Sequence, residues 1–312
     1  MRLSAIRPPS VAGSFYPAQP DVLAALVAEL LTRAGRLTPE AGPPEAGPTE
    51  AGPTEAAPTD RQVVGLLVPH AGLVYSGVIA AAGWRRLGMA SGEPPSTVVL
   101  LGTNHGAAWL DGVAAWEDGG WRTPLGDVAV DVALAGAIAE LGPPFAVDRT
   151  AHVGEHSIEV QLPLLQTVRP RAAIVPLSVA AGTGEDAIAA GARLGRLLAR
   201  YRDVGRSLVI AISSDMAHYP AENACTQVTN ELVGPILRLD PVLLAQAEGR
   251  VRDRATPGLV CGMCGVQPTV LGLAALRAFG ATSGINLAAA TSADAGGPTD
   301  RTVGYLAVAF TT

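Results

Sequence analysis

The sequence predicts an α/β protein, a single three-layer α/β/α domain spanning residues 1–312 around a mostly buried central sheet. Three observations carry this prediction. Six apolar runs rich in β-branched residues, at 63–68, 97–101, 173–177, 208–212, 285–290 and 303–310, are continuous rather than alternating, as strands covered on both faces must be. Segments with helical spacing fall between and around them, at 76–87, 132–141, 156–168, 185–201, 241–247 and 268–279, and such alternation builds a sheet with helices on both faces. The composition agrees, with 48% apolar and 16% charged residues among 312, enough to bury a large core.

Taken in chain order, residues 38–60 come first, because they interrupt this pattern. They repeat a five-residue Pro-Gly-Thr-Glu-Ala theme with no large apolar side chain, so nothing offsets the entropy of ordering them. The expectation is a disordered surface insertion, tolerated as a loop or used as a docking tail. The strand at 63–68 then runs through VPHAG into the helix at 76–87, where Gly72 and Gly77 would let backbone pass close to a pocket with Tyr75 as its wall. The strand at 97–101 ends in GTNHG. WRTPLGDVAVD reads as a rigid turn into a short strand, with Trp121 either structural or lining a substrate cleft. The strand at 208–212 ends in SSDMAHY, and the final helix at 268–279 opens just after CGMC. No second domain and no globular repeat is visible.

Charge and residue usage exclude several functions. All 22 basic residues are Arg, so Schiff-base chemistry and the lysine of a phosphate-binding P-loop are ruled out. The formal net charge is -6, but five of the 28 acids (Glu40, Glu45, Glu50, Glu55, Asp60) lie in the insertion, which leaves the rest of the chain close to neutral. With no basic patch or stacking motif, no nucleic-acid partner is expected. Three cysteines are an odd count for a disulfide framework. No leader-like start and no apolar run approaching the ~20 residues that span a bilayer is present, so no membrane association and a cytoplasmic location are expected.

In parallel sheets ligands collect at the carboxyl ends of the strands. His70, His105 and the pair Asp215 and His218 all fall just past predicted strands. Neutral imidazole is the commonest metal ligand and the usual acid/base group near neutral pH, so three such positions point to a metal or acid/base centre. In AHVGEHSIEVQLPLL, Glu155 and His156 open a predicted helix, either capping and supporting the centre or touching its ligand, while His152 reads as surface. Cys261 and Cys264 lack the second pair of a zinc knuckle, which leaves one thiolate at a helix start to join the histidines. Ser213 and Ser214 carry no GxSxG elbow, so a serine hydrolase is not expected.

These residues sit in a longer series of motifs: RPPSVAGSFYPAQPDVL, PHAGLVYSGVIAA, LLGTNHG, WRTPLGDVAVD, EHSIEVQLPLLQ, IVPLSV, ISSDMAHY, CGVQPTVLGLAAL, TSAD and VGYLAVAF. In this order they resemble the Memo family, called AmmeMemoRadiSam system protein B in prokaryotes, over nearly the whole chain outside the insertion. The resemblance implies a fold similar to class III extradiol dioxygenases of the LigB type, which are non-haem iron enzymes. It matches His70 and His105 to their metal-holding histidines and His218 to their catalytic histidine. Cys264 then falls where those enzymes place a carboxylate ligand, a departure that weakens the case for ring cleavage and favours softer metals. Asp215 is a substitute ligand or a partner that orients one. Iron(II) or copper is the implied metal, with zinc as a further option, and the family context implies an AMMECR1-type protein and a radical SAM (S-adenosylmethionine) enzyme as partners.

Three functions are therefore carried forward. The first is a dioxygenase-like redox metalloprotein acting on an unknown small molecule. The second is a catalytically vestigial module that receives a peptide or partner protein. The third is a zinc hydrolase.

Overall fold

In chain order, the computed structural model has β1 (Ile6–Arg7), α1 (Pro20–Ala34), β2 (Val63–Val68), α2 (Leu73–Met89), β3 (Thr97–Thr103), β4 (Gly112–Ala115), β5 (Gly120–Thr123), β6 (Gly126–Ala129), α3 (Val132–Ala139) and β7 (Phe145–Val147). It continues with α4 (Leu162–Val168), β8 (Ala173–Ala180), α5 (Glu185–Asp203), β9 (Leu208–Ser213), α6 (Glu222–Leu237), α7 (Pro241–Asp253), α8 (Val266–Phe279), β10 (Ser283–Thr291) and β11 (Gly304–Thr311). The structure describes residues 5–37, 62–89 and 97–312. The expected insertion at 38–60 lies outside the described residues.

The main sheet has the order β10-β11-β2-β9-β3-β8-β4-β7. Its centre, β2-β9-β3-β8, is parallel, and β11 and β4 flank that centre in antiparallel pairing. Every residue of β2, β3 and β9 is buried, which is why their sequences are unbroken apolar runs. Helices cover both faces. A Cβ on Gly65 would strike Leu276 of α8, whereas Val68, three residues on and so on the opposite face, packs against Gly83 of α2. On the α8 side, α5 lies close against α8 because Gly191 and Gly195 leave no Cβ between the helices; a Cβ there would run into the carbonyls of Leu271 and Ala275. The result is the expected three-layer α/β/α arrangement. A second, small sheet has the order β1-β5-β6 and carries the N-terminal segment.

All six predicted strands form, but the helix expected over 156–168 does not run continuously. The Glu155 carboxylate takes the backbone N–H groups of His156 and Ser157 (both 2.9 Å), a short 3-10 turn follows at Glu159–Gln161, and α4 begins only at Leu162, with Pro163 in its first turn. Sequence reasoning also passed over α1 and α6. Among the described residues, no helix is long and apolar enough to cross a membrane.

Candidate metal centre

A cavity of about 530 Å³ opens at the carboxyl ends of β2, β9 and β3. His70, His105, His156, Asp215, His218 and Cys264 supply its polar lining, and Phe15, Tyr75, Tyr219 and Tyr305 its aromatic walls. Three neighbouring parallel strands thus deliver His70, His105 and the Asp215–His218 segment to one place.

Three imidazoles meet there. The ligand atoms of His70, His105 and His156 all lie within 4.8 Å of one another. His156 stacks on His105 with ring centroids 4.5 Å apart, and Phe15 backs His156 at 4.6 Å. Burial, and then the neighbouring imidazole of His105, pushes His70 down to about 3. Burial, followed by His70 and His105, pushes His156 down to about 4. Both rings are therefore neutral near pH 7, the form that binds metals.

The surroundings turn one nitrogen of each ring outward. His105 donates Nδ1–H to Glu155 Oε1 at 2.9 Å, which leaves Nε2 as the nitrogen free to face a ligand. Glu155 also accepts the His105 backbone N–H at 2.6 Å. Although burial alone would raise this carboxyl, hydrogen bonds and charge from His105, with backbone N–H groups of His105 and Ser157, hold it well below the usual carboxylate range. His156 Nδ1 lies 3.5 Å from Glu155 Oε1, and His70 Nδ1 lies 3.0 Å from Ser213 Oγ. A carboxylate or hydroxyl behind each Nδ1 is the arrangement found behind histidines that bind metal through Nε2. The donor set thus fits a metal ion.

Cys264 and Asp215 stand beside this group. Cys264 Sγ lies 3.3 Å from His70 Nε2 and accepts the Asp215 backbone N–H at 3.3 Å. Burial first, then the charges of Asp215 and Cys261, push the Cys264 thiol well up. Asp215 Oδ1 accepts the backbone N–H groups of His70 (2.7 Å) and Ala71 (3.2 Å), locking the loop after β2, and burial raises its pKa against the opposing effect of His218. His218 is lowered by burial, and its Nε2 is buried with no hydrogen-bond partner among the described residues. Beside it, Tyr219 adopts φ 71°, a left-handed conformation that is strained for a tyrosine.

One alternative falls away and one expectation needs correction. Trp121 is fully buried in β5 under the Arg7 guanidinium, 4.1 Å from its ring, and is not among the residues that line the cavity. His152 is not on the surface; it is fully buried, with Nε2 3.0 Å from the Ala114 carbonyl and its ring against Trp116 and Trp121. Tyr75, by contrast, stands 48% exposed at the cavity mouth. Cys261 pairs with His218 through the backbone and does not line the cavity.

Sequence reasoning missed the clamp behind the site. Arg7 donates to Glu159 (2.6 Å) and to the carbonyls of His152 (2.9 Å) and Glu155 (2.6 Å), gripping the loop that carries Glu155 and His156. The fully buried Glu159 also accepts from Tyr16 Oη (2.6 Å) and from the backbone N–H groups of Ser10 and Val11. The N-terminal RPPSVAGSFYP is thereby fastened against the cavity, where Phe15 forms a wall.

The sequence matches the family profile described as Memo-like protein over residues 7–309. The chain belongs to the Memo family. A MEMO1 family protein of Methanopyrus kandleri is 34% identical over 305 residues, covering 97% of this chain and 98% of that protein. One from Methanocaldococcus jannaschii is 32% identical over 308 residues, covering 97% and 98%. Among solved structures, uncharacterized protein JW3007 from Escherichia coli K12 gives a TM-score of 0.49 at 17% identity, over 80% of this chain and 99% of that one, a likeness too weak to bear on function. Within this Memo chain, the resemblance pointed to His70, His105 and Cys264 as ligands. The possible set that the geometry brings together is His70, His105 and His156, with Cys264 against His70.

Proposed function

We propose that this chain holds a single redox-active metal ion, iron(II) or copper, on the cavity floor, and acts on a small molecule admitted between Tyr75, Tyr219 and Tyr305. The observation that carries this reading is the meeting of His70, His105 and His156 within 4.8 Å beside a thiol 3.3 Å from His70. Imidazole suits iron, copper and zinc alike, and a thiol at the same place favours softer ions.

When bound, iron(II) or copper supplies Lewis acidity and one-electron chemistry at this floor. The chain's own groups do the rest. His218 is neutral and its Nε2 has no partner among the described residues, so it can take a proton from a substrate hydroxyl at that nitrogen. Asp215 fixes the His70 loop and places its carboxyl beside His218. Cys264 keeps its proton until a cation displaces it, with His70 Nε2 as the nearest imidazole nitrogen. The aromatic walls favour a flat or apolar substrate.

Elemental analysis of anaerobically purified protein tests this. The expected result is iron or copper in the wild type and its loss in His70→Ala and His105→Ala. Wild-type protein that is folded and metal-free, or that carries zinc with no dioxygen consumption, would replace this reading with the vestigial-module or hydrolase alternatives.

A second reading is favoured by the apolar rim. Tyr75 and Tyr219 at the mouth are 48% and 38% exposed, and Val74, next to Tyr75 in sequence, and Val260, whose backbone N–H donates to the His218 carbonyl, are each 68% exposed. Such a rim suits a peptide or a protein such as the AMMECR1-type or radical SAM partner. Charged substitutions at Val74 and Val260 would abolish that association while leaving metal content unchanged.

A further inference from the structure

We propose that Trp84, Gln161 and Ser213 form a hydrogen-bond relay converging on Ser213 Oγ that fixes His70 as its Nδ1–H tautomer and so keeps the Nε2 lone pair turned toward the cavity. This rests on the metal reading only for its purpose; the relay itself follows from the direction of each hydrogen bond. All three residues are fully buried, so no water competes for their polar atoms.

The argument starts inside α2. The indole N–H of Trp84 can only donate, and it meets Gln161 Oε1 at 2.9 Å. That contact leaves no freedom in the Gln161 amide, whose NH2 must face the other way. There it donates to the Pro69 carbonyl (2.8 Å) and to Ser213 Oγ (2.9 Å), using both of its hydrogens. Ser213 has one hydrogen of its own. It lies 2.6 Å from the Ser157 carbonyl, which can only accept, so the Ser213 hydroxyl hydrogen points there. Toward His70, Ser213 Oγ can therefore only accept, and His70 Nδ1, 3.0 Å away, must be the donor. A neutral imidazole with its proton on Nδ1 carries its lone pair on Nε2, the nitrogen that lies 3.3 Å from Cys264 Sγ.

The relay also explains polar residues that the site chemistry leaves unused. Gln161 and Ser213 touch no substrate space; they are absent from the cavity lining. They act as positioning residues. Without them His70 could place its proton on Nε2 and donate it to Cys264 Sγ, closing the face that a metal needs.

The test reads the tautomer directly. Metal-free protein labelled with 15N-histidine should show His70 in the Nδ1–H form by two-bond 1H–15N correlation, the signal being assigned by its loss in His70→Gln. Ser213→Ala should move His70 toward the Nε2–H form and weaken iron(II) and zinc(II) binding by roughly 10–100-fold in chelator competition. Ser213→Thr, which keeps the hydroxyl, should restore both. An Nε2–H His70 in the wild type overturns the proposal without any variant, as does a Ser213→Ala protein with unchanged tautomer and affinity. If the tautomer is as proposed but no metal binds to any form, the relay stands and the metal reading fails.

Discussion

Glu155 holds His105 twice, accepting its backbone N–H on Oε2 at 2.6 Å and its ring Nδ1–H on Oε1 at 2.9 Å. One carboxylate thus sets both the position of the loop after β3 and the direction in which the imidazole lone pair points. The same oxygen that orients the ring also takes the N–H groups of His156 and Ser157, so two of the three imidazoles depend on a single side chain.

Replacing that carboxylate should loosen both rings. In Glu155→Gln the amide cannot accept all of these N–H groups, and iron(II) or zinc(II) affinity should fall by roughly 10–100-fold in competition titration. Unchanged affinity in a folded variant would remove Glu155 from the account of the site.

The buried imidazoles make the metal-free protein sensitive to acid. His70 is pushed down to about 3, and His152 and His156 to about 4, against about 6.5 in an unfolded chain. Below about 6.5 the unfolded state binds protons that the folded state refuses, so stability falls as pH drops through 6.5 toward 4. Glu155, depressed in the fold, has the same sign and acts at still lower pH, while Asp215, raised in the fold, opposes it. Melting temperature followed from pH 7.5 to pH 4.5 should decline from about pH 6.5 downward; a plateau to pH 5 would contradict the neutral imidazoles.

Arg7 and Glu159 are both buried, 2.6 Å apart. Arg7→Ala leaves Glu159 without its counter-charge and should destabilise the fold by about 3–5 kcal/mol in denaturant titration. Because Arg7 also holds the carbonyls of His152 and Glu155, metal affinity should fall in the same variant. A loss below about 1 kcal/mol would place the pair among weak surface bridges.

Two glycines offer a matched pair. Gly195 of α5 has the Ala275 carbonyl in the space a Cβ would fill, and Gly195→Ala should cost about 1–3 kcal/mol. Gly136 of α3 has nothing within 4 Å of that space, so Gly136→Ala should stabilise by about 0.5–1 kcal/mol through backbone entropy. Opposite signs in thermal denaturation are the expected result.

The strands were legible because burial on both faces writes itself as uninterrupted apolar runs, as in VVGLLV of β2. His70, His105, Asp215 and His218 were visible as candidates because they follow such runs. What sequence could not show was direction. Helical spacing over 156–168 hid the fact that Glu155 spends its carboxylate on the N–H groups that would begin that helix. His152 looked like a loop residue, yet it fills a space between two tryptophans that only the tertiary fold creates. Ser213 carried no recognisable motif, since its part depends on Gln161, 52 positions away, and on Trp84 beyond it.

The contact between Cys264 and His70 joins positions 194 apart. His70 and His105 leave the ribosome long before α8 does, and until then the floor of the cavity has no thiol and no wall on that side. A growing chain therefore presents His70, His105 and His156 before the thiol and the α8 side of the cavity exist, and the full lining closes only once the residues past 264 have been made.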